Sequence, residues 1–234
     1  MLSELKKDLL IMADPIRAKN CLRFFKTGKG EYGAGDKFIG VSNPDQRKIA
    51  KKYKNLRIGD LQKLLSDKIH EHRQVALYIL VDQFARSKNN EFARKKIVKL
   101  YLKNTKKINN WDLVDCSAHH VLGSYLLDKK DRKILYKLAK SKNLWERRIS
   151  IIATFLFIRT NDFKDAIKIA EILLNDSHDL IHKAVGWMLR EVGNRDLKVE
   201  EDFLKKYYKK MPRVMLRYAI EKFNKKSKQF YMKK

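Results

Sequence analysis

Residues 144–193 read LWERRISIIATFLFIRTNDFKDAIKIAEILLNDSHDLIHKAVGWMLREVG, and this stretch decides the fold. It divides into helical segments at 144–160, 162–175 and 177–193 with very short connections, so helix follows helix with no strand between them. Outward from it, the same theme recurs at 58–66, 70–87, 89–105, 110–127, 128–142, 196–209 and 211–225. Alternate helices carry a polar or basic residue and then an apolar run: Arg73, Ser117, Arg148, Lys183, and Arg213 with Arg217. The steps between these positions are 44, 31, 35 and 30 residues to Arg213, or 34 to Arg217. That is the size of a two-helix HEAT-like or armadillo repeat, in which no pair buries its apolar face alone. The spacing predicts an all-α solenoid whose marker residues form a basic stripe along one concave groove. The bland alternative is that each basic side chain only solvates its helix end.

The 234 residues carry 54 Lys+Arg against 27 Asp+Glu, a net charge of +27, with 44% hydrophobic residues. General disorder and an all-β fold are poor readings of a chain with that apolar content, three Pro and nine Gly. The excess of positive charge calls for an anionic partner, of which nucleic acid is the commonest. Two cysteines, Cys21 and Cys116, form no CxxC pair, so neither a disulfide framework nor a thiolate metal site is expected and the cytoplasm is the expected location. The N-terminal decapeptide is charged and no stretch approaches about 20 apolar residues, so neither export nor a membrane span is expected.

Short helices are predicted at 2–13 and 15–26, the second opened by Asp14 as cap with Pro15 behind it. Residues 27–40 hold five of the nine glycines and read as a connecting loop, because no P-loop or dinucleotide fingerprint occurs there. One domain is expected over 1–225, followed by a basic tail at 226–234. From Phe203 to Lys234 there are ten Lys and two Arg against the single acid Glu221.

The chemistry-bearing segments are few. In NNWDLVD (109–115), Trp111 and Asp115 fall at i and i+4 and share a helical face. A core tryptophan is the bland account, but a carboxylate among apolar residues must be paired or open to a cleft. In LWERR, Arg147 and Arg148 stand at the mouth of a long apolar run, with Asp115 as a plausible mate for one of them. In LIHKAVGWMLREVGNR, Gly186 beside Trp187 permits a close approach, and Arg190 falls one turn later. The histidines lack the spacing of a metal site, so no metal is assigned.

NNWDLVD, LWERRISIIATF, IHKAVGWMLREVG and MPRVMLRYAIEKF together resemble the AlkD-like DNA alkylation repair proteins, HEAT-like-repeat alkylpurine DNA glycosylases. The resemblance begins at FIGVSNPDQRKIAKKY and covers roughly 37–225. It implies a right-handed superhelix that holds duplex DNA in a basic groove and excises cationic 3-alkyl- and 7-alkylpurines without a cofactor. Carried over by motif, Asp115 matches the catalytic carboxylate, Trp111 and Trp187 the paired aromatic contacts to the lesion nucleotide, and Arg148 the active-site arginine. Arg190 matches a groove arginine, and Arg147, Lys183, Arg73, Arg213 and Arg217 complete the expected DNA-binding set. The Gly-rich TGKGEYGAGD departs from the family pattern where an N-terminal DNA contact is expected. The competing readings are a catalytically silent paralogue that grips nucleic acid and a protein-interaction scaffold. A monomer is the simplest state for a groove that accepts a duplex.

Overall fold

The structure, a computed structural model, describes residues 1–233. Among them the regular elements are helical, and the one β-type contact is a parallel bridge between Lys37 and Ile69. The fold class is all-α, built of α-solenoid-type helical repeats as the spacing predicts. The chain divides into two compact units, Met1–Val121 and Leu122 onward.

The first unit runs α1 (Leu2–Ile11), α2 (Pro15–Phe24), α3 (Asn43–Lys52), α4 (Ile58–Leu65), α5 (His70–Arg86), α6 (Glu91–Lys103) and α7 (Trp111–Asp115). Asp14 caps α2 by accepting from the amides of Ile16 and Arg17, with Pro15 at the first helical position. At α3 the cap is Ser42, whose hydroxyl accepts from the Asp45 amide. Helix α5 is the hub. Val75, Ala76, Leu77, Ile79 and Leu80 are fully buried because α3, α4, α6 and α7 pack around it. Helix α2 is the opposite case, with no buried residue and with Ile16, Leu22 and Phe24 turned outward.

Residues 27–40, expected as a connector, are instead docked onto the start of α5. The His70 amide donates to the Lys37 carbonyl, and the buried Glu71 carboxylate accepts from the amides of Ile39 and Gly40. Gly40 has φ +81°, and a Cβ there would lie 2.0 Å from the Asp14 carbonyl oxygen, so the loop closes against the cap of α2 only with glycine at this position.

The second unit continues with α8 (Ser124–Leu126), α9 (Lys133–Ala139), α10 (Leu144–Ala153), α11 (Phe155–Arg159), α12 (Lys164–Ile172), α13 (Asp179–Gly193), α14 (Leu197–Tyr207), α15 (Arg213–Ala219) and α16 (Lys225–Met232). Two predicted helices are interrupted. The segment 110–127 ends its first piece at Asp115 and passes through a π-helical turn at His119–Gly123, and 144–160 is divided at Thr154. In each case a buried hydroxyl returns to the preceding turn: Ser117 donates to the Leu113 carbonyl at 2.5 Å and Thr154 to that of Ile151 at 2.7 Å. Of the expected basic tail at 226–234, residues 226–232 belong to a helix, α16 (Lys225–Met232), anchored by the buried Tyr231, and Lys234 lies outside the described residues.

Helix α13 is the hub of the second unit, packed by α10, α12, α14 and α15. The close approach expected at Gly186 is that of α15. A Cβ there would lie 2.4 Å from the Met215 carbonyl oxygen and 2.5 Å from the Tyr218 Cβ. Gly186→Ala is therefore expected to destabilise the protein by about 1–3 kcal/mol through overpacking. The melting temperature would fall by several degrees; an unchanged melt would show that α13 and α15 separate freely.

Candidate functional site

Asn110, fully buried, caps α7 by accepting from the Trp111 amide, and so fixes where the helix carrying Trp111 and Asp115 begins. Both of these side chains are half-buried. The Trp111 ring lies 5.5 Å from Phe25 and 5.8 Å from Phe24, measured between centroids. Phe25 stacks on Phe38, and Phe38 on the His70 imidazole at 4.6 Å, which makes an aromatic layer leading from the exposed Phe24 to the start of α5.

Beneath that layer is a buried ionic network that the sequence did not reveal. His70 Nε2 lies 2.8 Å from an Asp112 oxygen and its Nδ1 lies 3.3 Å from Asp36. Arg73 donates to Asp36 at 2.8 Å and Asn109 donates to the same oxygen at 3.0 Å, while Gln74 donates to Asp112 at 3.0 Å. Burial alone would push the His70 imidazole down. The charge of Asp112 and its hydrogen bond, joined by that from Asp36, overcome this and lift it to about 9. Burial likewise opposes ionisation of Asp36, yet the His70 hydrogen bond and the Arg73 charge hold its carboxyl below the usual range. The glycine loop thus supplies Asp36, α5 supplies the cations, and α7 is held through Asp112.

A raised imidazolium has a definite consequence for stability. The contribution of His70 is fully present below its ordinary value of 6.5 and is lost as pH rises through about 9, an effect of the order of 3 kcal/mol. Glu200, buried on α14, acts in the same direction: burial first, then Glu201, push its carboxyl up to about 8, so folding holds a proton that rising pH removes. In a Glu200→Gln background, denaturant unfolding at pH 6.5 and pH 9.5 is expected to retain the His70 loss. Equal stability at the two pH values would show that the imidazole is not charged in the fold.

The carboxylates of α7 have different surroundings. Asp112 is bonded to His70 and Gln74, and Asp115, one turn on, shares a face with Trp111. Behind them burial raises the Cys116 thiol, with the charges of Asp112 and Asp115 adding to it and the Arg47 guanidinium acting in opposition. Exposed Arg47 lies 4.3 Å over the Tyr78 ring, so a cation borders α7 that sequence reasoning missed.

Of the expected basic stripe, Arg73 is 3% exposed, with its guanidinium held by Asp36 and the carbonyls of Asp67 and Lys68, so it is interior and offers no surface to a phosphate. In the second unit, Arg148 is 5% exposed and donates to the Leu180 carbonyl at 2.5 Å. Arg147 pairs with Asp176 at 2.6 Å, and Lys183 pairs with Asp179 at 3.0 Å. Trp187 is half-buried, with its ring 6.0 Å from Phe155 and its indole N–H donating to Glu191 at 3.0 Å. Arg190 pairs with Glu221. Arg213 and Arg217 are exposed, and Arg213 donates to the Met232 carbonyl at 2.6 Å. The signal available for the missed network was weak: a His and an Arg three apart at the start of α5, two phenylalanines before the glycine loop, and unpaired acids elsewhere.

Among the described residues no group of three or more His, Cys, Asp or Glu is arranged to hold a metal ion, and no helix is long and apolar enough to cross a membrane. No curated protein matches the chain. A solved structure described as a predicted DNA alkylation repair enzyme from Enterococcus faecalis is similar in fold, with a TM-score of 0.72 and 17% identity over 92% of this chain and 98% of that one. The family model described as DNA alkylation repair enzyme matches residues 5–223. Nearly the whole sequence, from within α1 through α15, lies in that match, and the chain belongs to the DNA alkylation repair enzyme family.

Proposed function

We propose that this protein is a monofunctional DNA glycosylase that hydrolyses the N-glycosidic bond of cationic 3-alkyl- and 7-alkylpurines in duplex DNA. The observation that carries the reading is the placement of Asp115 on α7, where it stands with Trp111 on a half-buried face. Alkylation at a ring nitrogen makes the purine cationic, so the base departs without a general acid. The C1′–N bond breaks and its electron pair neutralises the purine. The sugar acquires oxocarbenium character, which a fixed carboxylate stabilises, and water adds at C1′ as its proton passes to that carboxylate. Asp115 takes this role. Indole faces attract cations, which suits Trp111 and Trp187 to the charged nucleotide. Arg148 acts as an arginine of the site, and Arg190, Arg147, Lys183, Arg213 and Arg217, with Arg47, supply charge for the phosphates.

Single-turnover release of 7-methylguanine from a duplex oligonucleotide at low salt tests the reading. Release is expected. Salt-sensitive duplex binding without release would assign the protein to catalytically silent DNA binders, and binding that does not weaken between low and moderate salt would contradict phosphate-driven recognition.

A further inference from the structure

Away from α7, in the second unit, the turn after α14 and the last helix α16 enclose a cleft of about 630 Å³, within the size range of small-ligand sites. Among the described residues that line it, Tyr208, Phe230 and Tyr231 are aromatic, Lys209, Arg213 and Lys233 are basic, and none is acidic. Tyr231 is buried and forms the floor, and the Tyr208 ring lies 5.4 Å from it and 5.9 Å from Phe230. Phe230 is 58% exposed, an unusual position for a phenylalanine that already has two ring neighbours. At the rim Arg213 spends one guanidinium N–H on the Met232 carbonyl, one of the five donors such a group carries. Exposed lysines continue on both sides: Lys205 and Lys206 on α14, Lys225 and Lys226 on α16.

We propose that this cleft is a second nucleic-acid contact, one that takes an unstacked base of single-stranded DNA against Phe230 and Tyr208 while Lys209, Arg213 and Lys233 hold the flanking phosphates. A flat ring between two anionic groups is the ligand that exposed aromatic faces with cations on either side recognise. Lys205 and Lys206 pair with Asp202 and Glu171, but Lys225 and Lys226 lie exposed beyond the cleft, where a strand reaches them and a lone nucleotide does not. A lipid surface calls for a broad apolar face, and here the apolar surface is confined to a cleft. The proposal does not rest on the glycosylase reading, because its residues lie outside that set except for Arg213.

The test is fluorescence anisotropy with a labelled 12-mer of thymidylate and a 12-mer of abasic tetrahydrofuran units that has the same phosphates and no bases. Wild type is expected to hold the thymidylate strand roughly tenfold tighter than the abasic one. Phe230→Ala should erase that difference and leave abasic and duplex affinities within about twofold, while Phe230→Tyr should retain it. Equal binding of the two strands by wild type, or a parallel loss of both in Phe230→Ala, would overturn the proposal and leave only non-specific charge. Photo-cross-linking of the unaltered protein to a 5-iododeoxyuridine strand gives a readout that needs no variant. Adducts at Phe230 or Tyr208 are expected, and adducts confined to other segments would overturn the assignment.

Discussion

Asp115→Asn is expected to slow single-turnover release of 7-methylguanine by about two to three orders of magnitude, the scale of losing one preorganised electrostatic contact to a developing charge. The substitution removes the charge and keeps the shape. Asp115 is half-buried at the end of a short helix, and the rate is read per folded molecule, so that any change in melting temperature is scored apart from the change in release. Duplex affinity should change by no more than about twofold, because a carboxylate contributes no phosphate contact. The informative comparison is Asp112→Asn. Its carboxylate faces His70 and Gln74, so its loss should be read in stability rather than in the rate of the folded fraction. A rate defect in Asp112→Asn with normal release by Asp115→Asn would exchange the two roles.

The largest stability effect is expected at His70. Removing one member of a buried ionic group leaves the others uncompensated, at a cost of about 3–5 kcal/mol. In His70→Ala the carboxylates of Asp36 and Asp112 lose the cation between them, and only Arg73 remains to balance Asp36. Loss of the ring also withdraws the stacking surface under Phe25 and Phe38. A fall of about 10 °C in melting temperature follows for a chain of this size. In the Glu200→Gln background the variant should also lose most of its decline between pH 6.5 and pH 9.5. A variant as stable as wild type would mean that the network is balanced without the imidazolium.

The all-α class was legible because apolar spacing and short connections are local properties, and every predicted helical segment has a helix within it. The breaks after Asp115 and at Thr154 were not, since a hydroxyl that hydrogen-bonds to its own preceding turn looks in sequence like any other serine or threonine. Residues 226–232 of the expected basic tail lie in α16, where Tyr231 packs against the Tyr208 ring, a contact that charge counting ignores. Trp111 and Asp115 could be set on one helical face from their spacing, whereas Glu191 as the partner of Trp187 and Glu221 as that of Arg190 could not be foreseen. His70 could not be joined to its acids, because Asp36 and Asp112 lie 34 and 42 positions away. Arg73 was placed on the surface for the same reason: before a fold is known, an arginine at a helix start has no visible partner.

Stacked helical repeats ordinarily contact only their sequence neighbours, so such chains can nucleate anywhere and grow or fray repeat by repeat. The first unit departs from that behaviour through Asp36. One carboxylate from the glycine loop is tied to α5 and, through Asn109, to a residue 73 positions along the chain. Closing those loops must await most of the unit, which raises its contact order and slows its formation relative to a local repeat stack. In return, the ends of the unit should not open independently. Amides from the glycine loop to the start of α7 should exchange with solvent together, as one cooperative block rather than as a row of separable repeats.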